Sequence, residues 1–208
     1  MTEITLFYAT NNKNKLHNMY YRLKDYPIKI LSPNDVDIHL EIDENGKTAI
    51  ENALLKATAY YKVLNMPVIA GDSGLYIDGL SIEKQPGLYV RRVAGKVLSD
   101  DEMINYYASL AKSTANDCFI HYFTGIALIT NEGTFTKEIK DPPLKLSSIP
   151  NSNRKHKGNP LDVISLVEDG RYFNELSDEE RVALDKKGEQ EFTDFIVSKV
   201  QFTRDYTG

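Results

Sequence analysis

Ile4 to Ala9 is a nearly continuous apolar run, the pattern of a strand buried on both faces, and it stops at Thr10-Asn11-Asn12. From about Asn14 the period changes, with Leu16, Met19, Tyr20 and Leu23 at helical spacing. The chain therefore opens as strand, tight turn and helix. Ile28 to Leu31 reads as a second short strand, closed by Ser32-Pro33-Asn34. After an acidic turn at Glu41 to Gly46, Thr48 opens the clearest helix in the chain. Its stripe is Ala49, Ile50, Ala53, Leu54, Ala57, Tyr61 and Leu64. Val68 to Ala70 predicts a buried strand that runs into Gly71-Asp72-Ser73-Gly74, and Leu75 to Ile77 resumes extended structure.

Beyond the Pro86-Gly87 turn, a helix is expected over Asp100 to Ala111. Phe119 to Ile129 and Thr134 to Ile139 are strand-like and joined around Asn131-Glu132-Gly133, a good hairpin turn. Lys140 to Asn159 carries three prolines and many Ser, Asn and Lys residues, and reads as a loop or mobile segment. Val163 to Val167 predicts another strand, Asp178 to Lys187 and Glu191 to Val200 the last helices, and Thr203 to Gly208 a frayed tail. Strands alternating with helices imply an α/β protein with a mixed central sheet flanked by helices. There is no internal repeat and no linker long enough to separate independent domains, so one domain over 1–208 is expected.

Composition bounds this picture. The 208 residues, 41% of them hydrophobic, can bury one substantial core or two closely coupled lobes. A formal net charge of -5 argues against a protein that coats a nucleic acid polymer, which rewards a concentrated basic surface. Cys118 is the single cysteine, so no intrachain disulfide forms; it reads as a small hydrophobe facing from a strand. His17, His39, His121 and His156 lie far apart, without zinc-like spacing. The N-terminus lacks a signal peptide's plan and no apolar run reaches membrane-spanning length, so a cytoplasmic protein with no membrane partner is expected.

Three places put polar residues where ligands usually sit. Thr10-x-Asn12-x-x-Lys15 lies at the end of the first strand and the start of the first helix, where unpaired amides attract phosphate oxygens. The same residues also make an ordinary Asn-capped turn with a solvated lysine, and spacing weighs the two evenly. Glu41, Asp43 and Glu44 precede the helix that carries Glu51, Asn52 and Lys56. Asn52 and Lys56, one helical turn apart, can address one site, though acidic runs before helices are commonly solvated caps. Gly71-Asp72-Ser73-Gly74 sets a carboxylate and a hydroxyl between glycines at a strand end. A carboxylate there is costly unless paired or holding a cation such as magnesium, and function is favoured over a plain turn.

Taken in order, Thr10-x-Asn12-x-x-Lys15, Thr48 to Ala57, Ala70 to Leu75, and Pro86-Gly87-Leu88-Tyr89 with Arg92 and Gly95 resemble the inosine/xanthosine triphosphate pyrophosphatase family. The four matches span the first half of the chain, and length and element order agree to the C-terminus. The resemblance implies two closely coupled lobes with a cleft. It also implies hydrolysis of a deaminated or modified purine triphosphate, such as ITP, dITP or XTP, to monophosphate and pyrophosphate. Mg2+ is the implied cofactor and a homodimer the implied assembly. By motif position Asp72 is the metal-binding proton acceptor, and Asp43 or Glu44 the second metal carboxylate. Thr10, Asn12, Lys15, Lys56, Ser73, Arg92, Lys186 and Lys187 are the implied substrate contacts.

The departures are at the base end. Gly71 stands where the family commonly has the first of two adjacent acids. The family's Phe-Gly-Tyr-Asp-Pro becomes Gly158-Asn159-Pro160-Leu161-Asp162, with Asp162 one residue from the family's aspartate. Ser-His-Arg-Gly becomes Asp185-Lys186-Lys187-Gly188, and Ser-Ala-Arg becomes Val90-Arg91-Arg92. Two alternatives stand beside the leading one: a septum-inhibitor-like pyrophosphatase acting on other modified nucleotides, and a non-catalytic nucleotide-binding sensor.

Overall fold

The computed structural model describes residues 3–114, 118–153 and 159–200. In chain order its first elements are β1 (Ile4–Tyr8), α1 (Lys13–Leu23), β2 (Ile28–Leu31), α2 (Pro33–Val36), α3 (Ala49–Leu64) and β3 (Val68–Ile77). A short hairpin of β4 (Arg92–Val93) and β5 (Lys96–Val97) leads to α4 (Asp100–Ser113) and β6 (Phe119–Thr130). β7 (Gly133–Lys140), β8 (Leu144–Leu146), β9 (Ser165–Leu166), α5 (Asp178–Leu184) and α6 (Lys186–Val200) complete it. Among the described residues no helix is long and apolar enough to cross a membrane.

Contacts group the chain into two units, the first made of Met1–Ser73, Thr124–Ile139 and Lys187–Gly208, the second of Gly74–Phe123 and Lys140–Lys186. In the first, β1 pairs in parallel with β2 (Leu6 opposite Ile30) and with β3 (Phe7 opposite Val68). The sheet continues to β6, on which β7 pairs. Period-2 alternation then explains the continuous apolar run of β1. Leu6 and Tyr8 join Ile69, Ile126 and Leu128 under Met19 and Leu23 of α1 and Phe192, Ile196 and Val200 of α6. Phe7 and Ala9 point the other way, into Val68, Ala70, Ala127 and Ile129 with Ala53, Ala57 and Tyr60 of α3. Each large apolar side chain so covered contributes about 1.5–3 kcal/mol.

In the second unit β8 pairs antiparallel with β6 (Phe119 opposite Lys145) and with β9 (Lys145 opposite Leu166). Leu75, Ile77 and Ile120 pack there with Met103, Ile104 and Tyr107 of α4 and with Leu161, Val163 and Ile164. Parallel and antiparallel pairings together make the sheet mixed, as the alternation of elements predicts.

One glycine lets β6 lie against the first turn of α3. A Cβ on Gly125 of β6 would fall 2.3 Å from the Ile50 amide nitrogen and 2.4 Å from the Ala49 carbonyl carbon. Backbone cannot yield as a side-chain end does. A Gly125→Ala variant is therefore expected to lose about 1–3 kcal/mol by overpacking. Gly71→Ala, whose Cβ meets nothing nearer than 3.7 Å, should cost nothing measurable. Urea midpoints of the two variants check this; equal midpoints would refute the close approach.

The structure also revises several expectations. Gly71-Asp72-Ser73-Gly74 is not a turn between strands but the middle of one continuous β3. A Cβ on Gly74 would lie 2.2 Å from the Phe123 ring, so that glycine serves close packing rather than chain reversal. The Lys140 to Asn159 stretch contains β8, paired on both sides. The expected strand over Val163 to Val167 begins instead as a 3-10 turn, Pro160–Val163, and only Ser165–Leu166 is extended. Ser32-Pro33-Asn34 starts one helical turn, with the Asp35 carboxylate accepting from the Ser32 amide and hydroxyl. α6 starts at Lys186 and runs through Gly188. Cys118 is buried just before β6, as its small-hydrophobe reading expects. The tail Thr203 to Gly208 and residues His156 and Gly158 lie outside the described residues.

Candidate functional site

The first unit brings the three polar motifs of the N-terminal half to one place, beginning with the turn after β1. Asn12 caps α1: its Oδ1 accepts from the Asn14 amide at 2.9 Å and the Lys15 amide at 3.2 Å. Thr10 Oγ1 in turn accepts from the Asn12 amide at 3.2 Å. The Asn14 and Lys15 amides are thus satisfied from within, so the side chains are the main groups this end offers an anion. Lys15, half-buried, reaches across to donate to the Gly71 carbonyl at 3.3 Å. Burial first, and the charge of Lys56 second, push its ammonium below the usual lysine range, with Asp72 and Glu44 opposing.

The acidic loop is laced to α3. The Leu40 amide donates to the Tyr60 hydroxyl, the Gly46 amide to Asn52 Oδ1 at 2.8 Å, and the Lys47 amide to Glu51 Oε2 at 2.6 Å. A Cβ on Gly46 would stand 2.7 Å from Asn52 Oδ1, so only glycine lets the loop close on that amide. Thr48 caps α3 through the Glu51 amide. Buried Asn52 spends its other end on Asp72, donating from Nδ2 to Oδ2 at 2.8 Å. One turn later Lys56 Nζ lies 2.9 Å from Glu44 Oε2 and 3.6 Å from Asp72 Oδ1. Ser73, next on β3, shares a hydrogen bond of 3.0 Å with the Thr124 hydroxyl of β6.

Lys15, Lys56, Glu44, Asn52 and Asp72 are thus held together by α1, α3, β3 and one tethered loop. Of the two candidate second acids, Glu44 is the one brought to Lys56, while the Asp43 carboxylate accepts from the Asn45 side chain at 3.1 Å. Glu44 and Asp72 offer hard oxygen donors on either side of one ammonium. That suits a divalent cation taking one or two carboxylates and completing its shell with phosphate oxygens. Among the described residues no group of three or more His, Cys, Asp or Glu is placed to hold a metal by itself. Asn52 was within reach of the sequence through its one-turn spacing from Lys56. Thr124 was not, since only strand pairing brings it to Ser73.

The remaining candidates sit elsewhere. Arg92 of β4 is exposed in the second unit, its guanidinium 5.8 Å from the Tyr89 ring centre. Lys186 ends the second unit, and exposed Lys187 lies 3.9 Å from Glu191 one turn along α6. Asp162 is buried in the 3-10 turn after Asn159, with Oδ2 4.0 Å from an Arg181 Nη1 whose guanidinium also covers Phe173. Burial carries the Asp162 carboxyl up to about 7 although Arg181 draws it down.

The fold is a mixed-sheet α/β arrangement that gathers two lysines and two carboxylates within one unit. The sequence model of the Ham1 family matches residues 6–189. A curated relative from Borrelia duttonii (strain Ly), named dITP/XTP pyrophosphatase, is 34% identical over 191 residues, covering 88% of this chain and 92% of its own. A HAM1 protein from Coxiella burnetii superposes with a TM-score of 0.76 at 25% identity, over 94% of this chain and 99% of that one. The Staphylococcus aureus Ham1 protein shares the fold at a TM-score of 0.73 and 22% identity, over 94% and 99%. The chain belongs to the Ham1 family.

Proposed function

We propose that this chain hydrolyses a nucleoside triphosphate, a deaminated or modified purine such as ITP, dITP or XTP, to the monophosphate and pyrophosphate, in a nucleotide-pool-cleaning role. The observation that carries this reading is the convergence of Lys15, Lys56, Glu44 and Asp72 within one unit of a Ham1-family chain. The names of relatives such as the dITP/XTP pyrophosphatase of Borrelia duttonii support it.

In this reading Glu44 and Asp72 hold Mg2+, which when bound draws negative charge from the triphosphate and its pyrophosphate leaving group. Asp72 accepts the proton of the attacking water, and Asn52 fixes the plane of its carboxylate through Oδ2. Lys15 and Lys56 spread the charge that develops on the departing pyrophosphate. A partly desolvated Lys15 suits that task, because its ammonium has few competing waters and gains most from an arriving anion. Thr10, Asn12 and Ser73 supply short polar groups beside it. Arg92, Lys186 and Lys187 enter as substrate contacts by motif position. The family resemblance likewise supports a cytoplasmic homodimer.

The test is a panel of ITP, dITP, XTP, dUTP and the standard triphosphates with magnesium, read as pyrophosphate release. Release concentrated on the deaminated purines is the expected result. Tight binding with no turnover of any triphosphate would sink the enzyme reading.

A further inference from the structure

Asp72 has both oxygens engaged. Oδ2 receives the Asn52 amide at 2.8 Å, and Oδ1 faces the Lys56 ammonium at 3.6 Å. The same ammonium holds Glu44 Oε2 at 2.9 Å. Lys56 is little exposed, at 14% of its side chain, whereas its Glu44 partner is 43% exposed. The cation that already stands between the two carboxylates is therefore part of the chain itself.

We infer that Lys56 is a resident counter-ion, which holds Glu44 and Asp72 together before substrate arrives and is exchanged for the divalent cation when the nucleotide brings it. The inference rests on the proposed function for the identity of the incoming pair, and on the Lys56 geometry for the exchange. The charge balance gives the reason. Two carboxylates facing Lys56 and Lys15 are close to neutral, so a bare divalent cation entering that group meets two ammonium ions in a poorly hydrated place. A triphosphate reverses the balance, because its oxygens accept the displaced ammonium while the metal takes the carboxylates. Metal affinity without nucleotide is then low by construction, and the freed Lys56 is already one side-chain swing from the phosphates. Asn52 is not displaced in this exchange. Its hold on Oδ2 and on the Gly46 amide keeps the loop and the strand in register while Oδ1 changes partner.

The experiment measures Mn2+ binding to nucleotide-free protein by the loss of free-Mn2+ paramagnetic resonance signal. It compares the parent chain, Lys56→Met and Glu44→Gln/Lys56→Met. Methionine follows the lysine side chain as far as Cε and supplies no oxygen ligand, so tighter binding cannot come from a new hard donor. Lys56→Met is expected to bind Mn2+ about tenfold or more tightly than the parent, because one positive charge has left the site. The double variant should lose that gain. Equal or weaker binding by Lys56→Met overturns the exchange, as does a gain that survives removal of the Glu44 charge. Lys56→Ala, read in the same way, stands in if the methionine variant does not fold. The readout contains no turnover, so even a chain that hydrolyses no triphosphate would still reveal whether Lys56 competes with the metal.

Discussion

Asp72→Asn is expected to cut pyrophosphate release by about 10²–10⁴-fold, the usual worth of a positioned proton acceptor, while leaving thermal stability near the parent's. The substitution keeps the shape and removes what the site needs. An asparagine side chain has one acceptor oxygen where the carboxylate has two. If that oxygen stays with Asn52 Nδ2, the new amide hydrogens face the Lys56 ammonium where Oδ1 had stood at 3.6 Å. The charge that binds a cation and takes the proton of water is gone in either orientation. Stability should change little, because an amide oxygen at this position still accepts from Asn52 Nδ2 and the Lys56 contact is a long one of 3.6 Å. Pyrophosphate assays alongside melting curves separate the two effects. Activity within tenfold of the parent would remove Asp72 from the reaction, and a matching collapse of stability would make it a structural residue.

The second large effect concerns stability and pH, and it comes from Asp162. Its folded titration lies at about 7 against an ordinary 3.8, because burial disfavours the charged form more than Arg181 favours it. The folded state therefore binds this proton more tightly than the unfolded chain does. Its contribution is complete below pH 4 and is lost as pH rises through about 7. At about 1.4 kcal/mol for each pH unit between the two titrations, the loss amounts to about 4 kcal/mol. An uncharged isostere escapes that loss. Asp162→Asn should thus be more stable than the parent at pH 8, with the gap closing towards pH 4. Other carboxylates run the opposite way, such as Glu102, held at about 2 first by its hydrogen bond from Lys96. The difference between variant and parent is the quantity to follow, by urea denaturation across that range. A parent that outlasts Asp162→Asn at pH 8 would show that the carboxylate is a net stabilising charge.

How much of this was legible in the sequence depends on whether local pattern or distant contact decides each element. β1, α1 and α3 follow directly from periodicity and caps, because their apolar stripes coincide with the faces they bury. Asp72 and Lys56 were also within reach, since a carboxylate between glycines and a lysine bordering a helix stripe are local signals. β8 was not. Its Leu144-Lys145-Leu146 core is too short to stand out among prolines and polar residues, and only β6 and β9 make it a strand. Gly71 and Gly74 misled for a related reason: glycine marks turns from sequence alone, but here a ring against Gly74 demands it within a strand. The same gap explains the choice between Asp43 and Glu44, adjacent residues that only the loop's tethers to α3 tell apart. Asp162 stands one residue from the family's aspartate in sequence, but its burial beside Arg181 is set by the fold and has no local signal.

The composition of the first hydrophobic cluster has a consequence for how the chain matures on the ribosome. Leu6 and Tyr8 of β1 are made well before Phe192, Ile196 and Val200 of α6, with which they share that cluster. Until α6 has left the exit tunnel, one face of the N-terminal strands lacks its final cover, however well the middle of the chain has formed. Contacts between residues so far apart in sequence close long loops and are slow to be secured. Synthesis therefore leaves a window, as long as the chain between β1 and α6 takes to make, in which a chaperone or a neighbouring nascent chain can reach that apolar face before α6 does.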